Sequence, residues 1–147
     1  MEIVTNLKLL RIPSTEVKSV DEVNSTIKEL EETFKNLKEQ GKDGFGLAAV
    51  QIGIYKQVSI VRMKDGHELN LINPKILVKE LPVVFSESCY SISGLIIKTD
   101  RYRYIQIENG LEKREIIALS DLEAIVVQHE IDHMKGRTIL DAKHRRK

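Results

Sequence analysis

The stretch Ser120–Gly136, SDLEAIVVQHEIDHMKG, is typical of one buried helix with both ends encoded in the sequence. Ser120 and Glu123 have the spacing of a capping box, and Gly136 suits the left-handed position just past a helix end. Apolar residues would lie almost all the way round this helix, which favours burial in a core. Because burying unpaired polar groups is costly, the ionisable residues on the same helix need a compensating partner. A metal ion is the first candidate.

Length and composition favour one soluble domain over residues 1–147. The chain is 41% hydrophobic and 31% charged, which is enough apolar sequence for one core. The formal net charge of +1 gives no reason to expect nucleic acid or a membrane as a partner. No run reaches membrane-spanning length, and the N-terminus lacks the apolar core of a signal peptide. The lone Cys89 fits a reducing compartment, so we predict a cytoplasmic location and a monomer.

The two ends of the chain carry weak structural patterns. Residues 1–18 contain short apolar pieces followed by Pro13, and we predict an extended or loop arm there. The basic ending, residues 143–147, is expected to be a solvated and frayed terminus. A weak contact of this ending with RNA or an acidic surface is the alternative.

A second helix is predicted over residues 20–40. Ser19 and Glu22 have the spacing of another capping box, and Gly41 is suited to end the helix. Apolar residues recur in this segment at three- and four-residue spacing, so the helix is amphipathic and packs on something else.

From residue 58 onward the pattern changes to strands. Asp65-Gly66 and Asn109-Gly110 are hairpin signals, and Pro82 favours an edge strand or a bend. Strands and helices are segregated along the chain, which predicts an α+β fold with largely antiparallel sheets packed around the helix of Ser120–Gly136. The predicted strands are residues 58–63, 69–72, 75–85, 95–98, 101–108 and 115–119.

His129-Glu130-Ile131-Asp132-His133 is an HExxH pentad. Positions four apart on a helix lie about 40° from each other around the axis, so both imidazoles can converge on one ion. Glu130 suits the role of general base better than that of ligand. Asp132 either orients a ligand from behind or pairs with a basic neighbour on the helix surface. A surface helix facing water is the alternative for the whole pentad, and the apolar flanks disfavour it.

A catalytic metal site usually has three protein ligands and one open position. Asp141 and His144 follow the pentad without a persuasive spacing. Cys89 is the better third candidate because a thiolate is a strong, soft ligand, although a solitary cysteine is more often buried packing. The stretch 44–53, GFGLAAVQIG, either lets the backbone approach a ligand or is a packed turn of small residues.

Three segments together resemble the peptide deformylase family, whose members remove the formyl group from the N-terminal methionine of new polypeptides. GFGLAAVQ at 44–51 matches GxGLAAxQ, ESCYS at 87–91 resembles EGCLS, and QHEIDH at 128–133 matches QHExDH. Each segment alone is a weak to moderate signal, whereas the three in this order are specific. The resemblance covers about residues 44–140.

The resemblance implies a deformylase-like catalytic domain that binds one divalent metal ion. Fe(II) would be the native ion, and Zn, Ni or Co could occupy the same site. The implied partners are N-formyl-methionyl peptides, with a transient ribosome contact and no membrane or specific nucleic acid. The implied metal ligands are Cys89, His129 and His133; the catalytic residues are Glu130, Gln51 and Tyr90, the last through its backbone N–H; the substrate-binding residues are Phe45, Gly46, Leu122, Ile125 and Val126.

The resemblance also implies that Arg101 pairs with Glu87 and braces the loop that holds Cys89. The chain departs from the family pattern at four positions: Ser88 stands for Gly, Tyr90 for Leu, Ser93 for a usual Pro, and Ile96 for a frequent Arg. Two other functions compete with deformylation. One is an HExxH zinc endopeptidase, whose activity would survive replacement of Cys89. The other is a homologue that binds metal or peptide and has lost turnover.

Overall fold

The computed structural model describes residues 2–145, which form helices and two antiparallel three-stranded sheets. The strand orders are β1-β2-β3 and β4-β5-β6, so the predicted α+β class with antiparallel sheets is confirmed. In chain order the elements are α1 (Leu7–Leu10), α2 (Val20–Glu39), β1 (Gly46–Ala48), a 3₁₀ turn (Ala49–Ile52), β2 (Val58–Arg62), β3 (Glu68–Ile72), β4 (Lys75–Cys89), β5 (Ile92–Asn109), β6 (Glu115–Ser120) and α3 (Asp121–Met134).

Helix α2 packs its apolar stripe against the first sheet. Leu30 and Phe34 share a buried cluster with Leu47 of β1 and Ile60 of β2. The predicted capping box is half present: the Ser19 hydroxyl accepts the N–H of Glu22 at 3.1 Å. The Glu22 carboxylate instead reaches one residue further back and accepts the N–H of Lys18 at 3.3 Å.

The second sheet is built on one long hairpin, β4–β5. The predicted strands 95–98 and 101–108 are parts of one strand, because Thr99 and Asp100 at the expected break are paired with Phe85 and Val84 of β4 rather than in a loop, and Thr99 is 0% exposed. Pro82 lies opposite Tyr102 in β4, which is an edge strand of its sheet as predicted. An edge position tolerates the missing N–H of proline.

Helix α3 packs between the two sheets. Val127 and Ile131 share a buried cluster with Val61 of β2 and with Ile105 and Ile107 of β5. Burial on several sides explains why apolar residues surround the helix. The cluster contains residues of both sheets, so the position of α3 depends on its packing against each of them.

The ends of α3 agree only partly with prediction. Gly136 follows the helix at φ +74°, as expected for a left-handed stop. The predicted capping box is wrong, because Ser120 is still the last residue of β6 and its side chain makes no capping hydrogen bond. The Glu123 carboxylate accepts the backbone N–H of Lys64 at 2.8 Å instead, which ties the helix to the β2–β3 turn.

The N-terminal arm is not wholly extended, because α1 forms a short helix within it. The Asn6 side chain accepts the N–H of Lys8 at 2.9 Å and caps this helix. Leu10 is fully buried, so one turn of helix anchors the arm to the core. The predicted extended or loop arm is therefore wrong at Leu7–Leu10, where a cap at Asn6 and the burial of Leu10 stabilise a short helix.

The first part of the basic ending lies along β5 rather than being frayed. The N–H of Asp100 donates to the carbonyl of Ala142 at 2.9 Å, and the N–H of His144 donates to the carbonyl of Lys98 at 2.7 Å. Residues 146 and 147 lie outside the described residues. Within the described part of the chain, none of the helices is both long and apolar enough to cross a membrane.

Candidate metal centre and active site

Cys89 at the end of β4 meets His129 and His133 of α3. The Nε2 atoms of the two histidines lie 3.2 Å apart, and the Cys89 Sγ is 3.4 Å from Nε2 of His133. Two nitrogens bound to one tetrahedral ion at about 2.0–2.1 Å each would lie about 3.3 Å apart. The three donors therefore fit a single ion, and two imidazoles with one thiol suit zinc, iron and related metals.

Glu130 lies beside these donors with one carboxylate oxygen free. The residue is 3% exposed, and within the described part of the chain its Oε1 has no hydrogen-bond partner. Buried polar atoms are normally paired, so this oxygen is available to accept a hydrogen bond from a further group. Burial also raises the pKa of Glu130 to about 7. A carboxylate with that pKa can accept and return protons near neutral pH.

Glu87 orients His129 from behind. Nδ1 of His129 donates to Oε1 of Glu87 at 2.8 Å, which leaves Nε2 of the same ring directed towards Cys89 and His133. Burial by itself would raise the pKa of Glu87, but hydrogen bonds from His129 and Arg101 outweigh it and hold the pKa at about 2. Glu87 is therefore an ionised acceptor that fixes the ring of a metal-binding candidate.

Arg101 of β5 joins Glu87 to Asp132. Its Nη2 atom donates to Oε1 of Glu87 at 3.0 Å, and its Nη1 atom donates to Oδ2 of Asp132 at 2.6 Å. The predicted Arg101–Glu87 pair is thus confirmed. The partner of Asp132 is thus not a basic neighbour on the helix surface but the buried Arg101, which also contacts the carboxylate holding His129, and this favours the alternative in which Asp132 supports a ligand from behind.

Gln128 is a positioning residue that sequence reasoning did not assign. Its side-chain amide accepts the N–H of Tyr102 at 3.0 Å and donates to the carbonyl of Tyr102 at 2.8 Å. The amide thus pairs with the backbone of β5 as another strand would, immediately beside Arg101. A polar residue at a buried helical position next to His129 was the signal available in the sequence.

Gln51 is aimed at the donors by its own backbone neighbours. Its Oε1 accepts the N–H of Ala48 at 3.0 Å, so the amide nitrogen faces the other way. Nε2 of Gln51 lies 3.6 Å from the Sγ of Cys89 and 3.2 Å from the hydroxyl of Ser91. A side-chain N–H donor therefore stands beside the metal-binding candidates, in a residue that is 1% exposed.

The segment around Phe45 and Gly46 passes close to Glu130. β1 is an edge strand of its sheet, which leaves one side of its backbone without a neighbouring strand. A Cβ atom at Gly46 would lie 2.6 Å from Oε2 of Glu130, so glycine is needed for this approach. Phe45 is half exposed, and its carbonyl accepts the N–H of Arg62 at 2.7 Å.

Tyr90 directly follows Cys89. Burial, with the nearby Asp43 carboxylate, raises the pKa of the Tyr90 phenol to about 12. The hydroxyl therefore remains protonated, and it donates to the carbonyl of Lys42 at 3.0 Å.

The three predicted pocket residues lie on α3 and differ in their burial. Ile125 is 4% exposed, Val126 packs against the cluster between α3 and the sheets, and Leu122 is half buried. A surface cavity of about 390 Å³ lies elsewhere, beside Asp121 at the first turn of α3. The pocket assignment of Leu122, Ile125 and Val126 therefore stays a prediction.

Ser88, which stands where the family pattern has Gly, does not place the backbone at a positive φ. Ser88 is exposed in β4 and is not among the non-glycine residues with positive φ in the described chain, which are Asn73, Leu81 and Asp121. Ile96 is 78% exposed, so this departure changes the surface rather than the core.

Known proteins share both the sequence pattern and the fold. The family model described as Polypeptide deformylase matches residues 2–147. The peptide deformylase of Buchnera aphidicola is 37% identical over 145 residues, which are 92% of this chain and 82% of the relative. A TM-score of 0.86 relates the chain to the peptide deformylase of Thermotoga maritima, with 27% identity and coverage of 99% and 97% of the two chains. The score is also 0.86 for a peptide deformylase of Synechococcus elongatus in complex with actinonin, with 29% identity and coverage of 99% and 79%.

Proposed function

Because this chain belongs to the polypeptide deformylase family, we propose that it hydrolyses the N-formyl group of formyl-methionyl polypeptides and releases formate. The observation that carries this proposal is the arrangement of three converging donors beside a buried carboxylate with a free oxygen. A donor set of this kind needs an ion, and the orphan oxygen of Glu130 needs a proton donor. One divalent ion held by the three donors and one water molecule beside Glu130 would meet both requirements, and these are the components of metal-assisted hydrolysis.

Cys89, His129 and His133 would hold one divalent ion. Such an ion, when bound, lowers the pKa of water and polarises a carbonyl oxygen. The family resemblance favours Fe(II) as the native metal, and the thiolate donor suits Fe(II), Zn and related metals. Zn, Ni or Co would bind to the same three donors.

Glu130 would move the proton. Its carboxylate accepts a proton from the attacking water and returns it to the amine that leaves. Burial and the resulting pKa of about 7 support this role, because the group then gains and loses a proton with little cost at neutral pH. The free Oε1 is the atom we assign to the transfer.

Gln51 and Tyr90 would stabilise the negative charge that develops on the formyl oxygen when the formyl carbon is attacked. The Gln51 amide nitrogen faces Cys89 at 3.6 Å, and the Tyr90 backbone N–H follows Cys89 directly in the chain. Loss of one such donor typically costs roughly two to three powers of ten in rate.

The peptide would pair with the edge of β1 at Phe45 and Gly46, as an added strand. The unpaired side of this edge strand and the approach of Gly46 to Glu130 support the assignment. Leu122, Ile125 and Val126 would line the methionine pocket, which rests on the resemblance. A cytoplasmic location, a monomeric state and a transient ribosome contact also remain predictions, and the unpaired Cys89 fits a reducing compartment.

The test is formate release from formyl-methionyl peptides after anaerobic loading with Fe(II). Wild type should release formate, and Glu130→Ala and Cys89→Ala should each lose most of the activity. Asp121→Asn removes an exposed ion pair with Arg103 and should change nothing, which makes it the matched control. A metal-loaded wild type without formate release would contradict deformylation. Cleavage of internal peptide bonds that survives Cys89→Ala would indicate an endopeptidase.

A further inference from the structure

The side chain of Tyr90 extends from the metal site to the segment that leads into β1. Its hydroxyl donates to the carbonyl of Lys42 at 3.0 Å. Its ring meets the Phe34 ring of α2 edge-on, at a centroid distance of 6.4 Å and an interplanar angle of 89°. Tyr90 also packs against the buried cluster between α2 and the first sheet. One side chain therefore joins the β4–β5 turn to α2 and to residue 42.

The Tyr90 ring also occupies the space that a side chain at Gly44 would fill. A Cβ atom at Gly44 would lie 2.6 Å from Cζ and 2.8 Å from Cε2 of the ring. Real Cβ atoms do not approach so closely, so the ring lies directly on the backbone of residue 44. Glycine and tyrosine at these two positions are thus a matched pair.

The segment that receives these contacts is weakly held otherwise. Residues 42–45 lie between α2 and β1 without regular secondary structure, and Lys42, Asp43 and Phe45 are exposed. The N–H of Lys42 donates to Leu37 at one end, and the carbonyl of Phe45 accepts from Arg62 at the other. Between these two bonds, contact with Tyr90 fixes the path of the chain into Gly46.

We propose that the Tyr90 side chain is a positioning residue that sets the location of the β1 edge relative to the metal donors, and thereby the affinity for the peptide. Tyr90 follows Cys89 directly in the chain. Its hydroxyl donates to the carbonyl of Lys42, and its ring contacts Gly44. A single residue therefore fixes the spacing between a metal-binding candidate and the strand edge. The inference rests on the proposed function, in which the peptide pairs with β1.

Tyr90→Phe tests the hydroxyl bond while keeping the ring and the backbone N–H. We expect faster amide hydrogen exchange in residues 42–46, with exchange elsewhere unchanged. The KM for a formyl-methionyl peptide should rise about threefold to tenfold, the equivalent of one hydrogen bond. The kcat should stay within about twofold, because none of the reacting groups has moved. Tyr104→Phe is the matched control, since it removes a phenol that accepts from Gln106 at 2.7 Å in β5.

The Gly44–Tyr90 contact supplies a second test. Gly44→Ala places a methyl group against the Tyr90 ring and should raise the KM, whereas the same change in a Tyr90→Leu background should cost much less. Contacting residues show such non-additivity, and independent sites do not. Additive effects of Gly44→Ala and Tyr90→Leu on the KM would overturn the proposed positioning role of Tyr90.

The outcomes separate this inference from the proposed function. If amide hydrogen exchange at residues 42–46 is unchanged in Tyr90→Phe, the proposed positioning role of Tyr90 is wrong, whatever the rate of formate release. A lower kcat with an unchanged KM would also overturn it, because the residue would then act on the chemical step. If wild type releases no formate, the proposed function fails, and exchange together with peptide binding measured by calorimetry still decides the role of Tyr90.

Discussion

The carboxylate of Glu87 accepts a hydrogen bond from Nδ1 of His129 at 2.8 Å. Glu87 precedes Cys89 by two residues on β4, so one strand provides both a metal-binding candidate and the group that orients another. The strand and the helix thus share one site through this hydrogen bond. Removal of the Glu87 carboxylate should weaken the site without removing any donor.

We expect Glu87→Gln to lower the metal affinity about 10- to 100-fold. The amide oxygen can still accept from His129, but the negative charge that strengthens this bond and balances Arg101 is lost. Competition with a chelator of known affinity measures the effect.

Asp65→Asn is a suitable control for that measurement, because Asp65 pairs with His67 at an exposed turn between β2 and β3. It removes a carboxylate from another His–carboxylate pair and should leave the metal affinity unchanged. Equal affinity in wild type and Glu87→Gln would show that the hydrogen bond does not act on the metal site.

Asp132→Asn should have a smaller effect on metal affinity than Glu87→Gln, because Asp132 acts on His129 only through Arg101 and Glu87. It should lower the free energy of unfolding by about 1.5–3 kcal/mol, the usual range for a hydrogen bond to a charged group. Denaturant unfolding and chelator competition on the same variant separate the two effects. A loss of metal affinity as large as that of Glu87→Gln would contradict the proposed order of contacts.

The sequence predicted the parts of this site that follow from local periodicity. Helical spacing placed His129 and His133 on one face, whereas Cys89 was only the better third candidate until the family resemblance implied it as a ligand. Two hairpin signals and the amphipathic pattern predicted most of the fold. The Glu87–Arg101 pair needed the family resemblance, because its members lie on two different strands, and the contact of Arg101 with Asp132 on α3 was not predicted.

The errors have a common physical origin in contacts distant along the chain. Glu123 forms its hydrogen bond with Lys64 rather than with the N-terminus of its own helix. The strand break predicted at residues 99–100 is wrong because both residues pair with β4, where the Thr99 hydroxyl donates to the carbonyl of Phe85, a contact that the sequence does not reveal. The backbone pairing of Gln128 with Tyr102 depends in the same way on the packing of α3 against β5.

Stability should fall as the pH rises through the range in which Glu68 ionises. Burial, together with a hydrogen bond to Glu31 of α2, raises the pKa of Glu68 from 4.5 to about 7. The folded state therefore holds a proton that the unfolded state releases, so the folded state loses relative stability between pH 4.5 and 7. Glu68→Gln should remove this loss. The stability of the variant minus that of wild type should therefore increase between about pH 4 and about pH 8.

Thermal unfolding of wild type and Glu68→Gln across this pH range measures the effect. Glu32→Gln, at an exposed position of α2 next to Glu31, is the matched control and should follow the wild-type curve. Parallel curves for wild type and Glu68→Gln would contradict the raised pKa.

Gly46→Ala should reduce kcat on the order of 100-fold while metal content stays unchanged. The added Cβ would lie 2.6 Å from Oε2 of Glu130 and 3.1 Å from the carbonyl oxygen of Ile60. The Ile60 oxygen belongs to the backbone of β2, so the Glu130 carboxylate must move, and displacement of a catalytic group by about 1 Å costs about that factor. Formate release from metal-loaded protein measures the effect, and metal analysis checks the donors. In the Glu130→Ala background the same substitution should cost little, because the displaced group is already gone; an equal loss there would mean that the added methyl group acts on the strand edge instead.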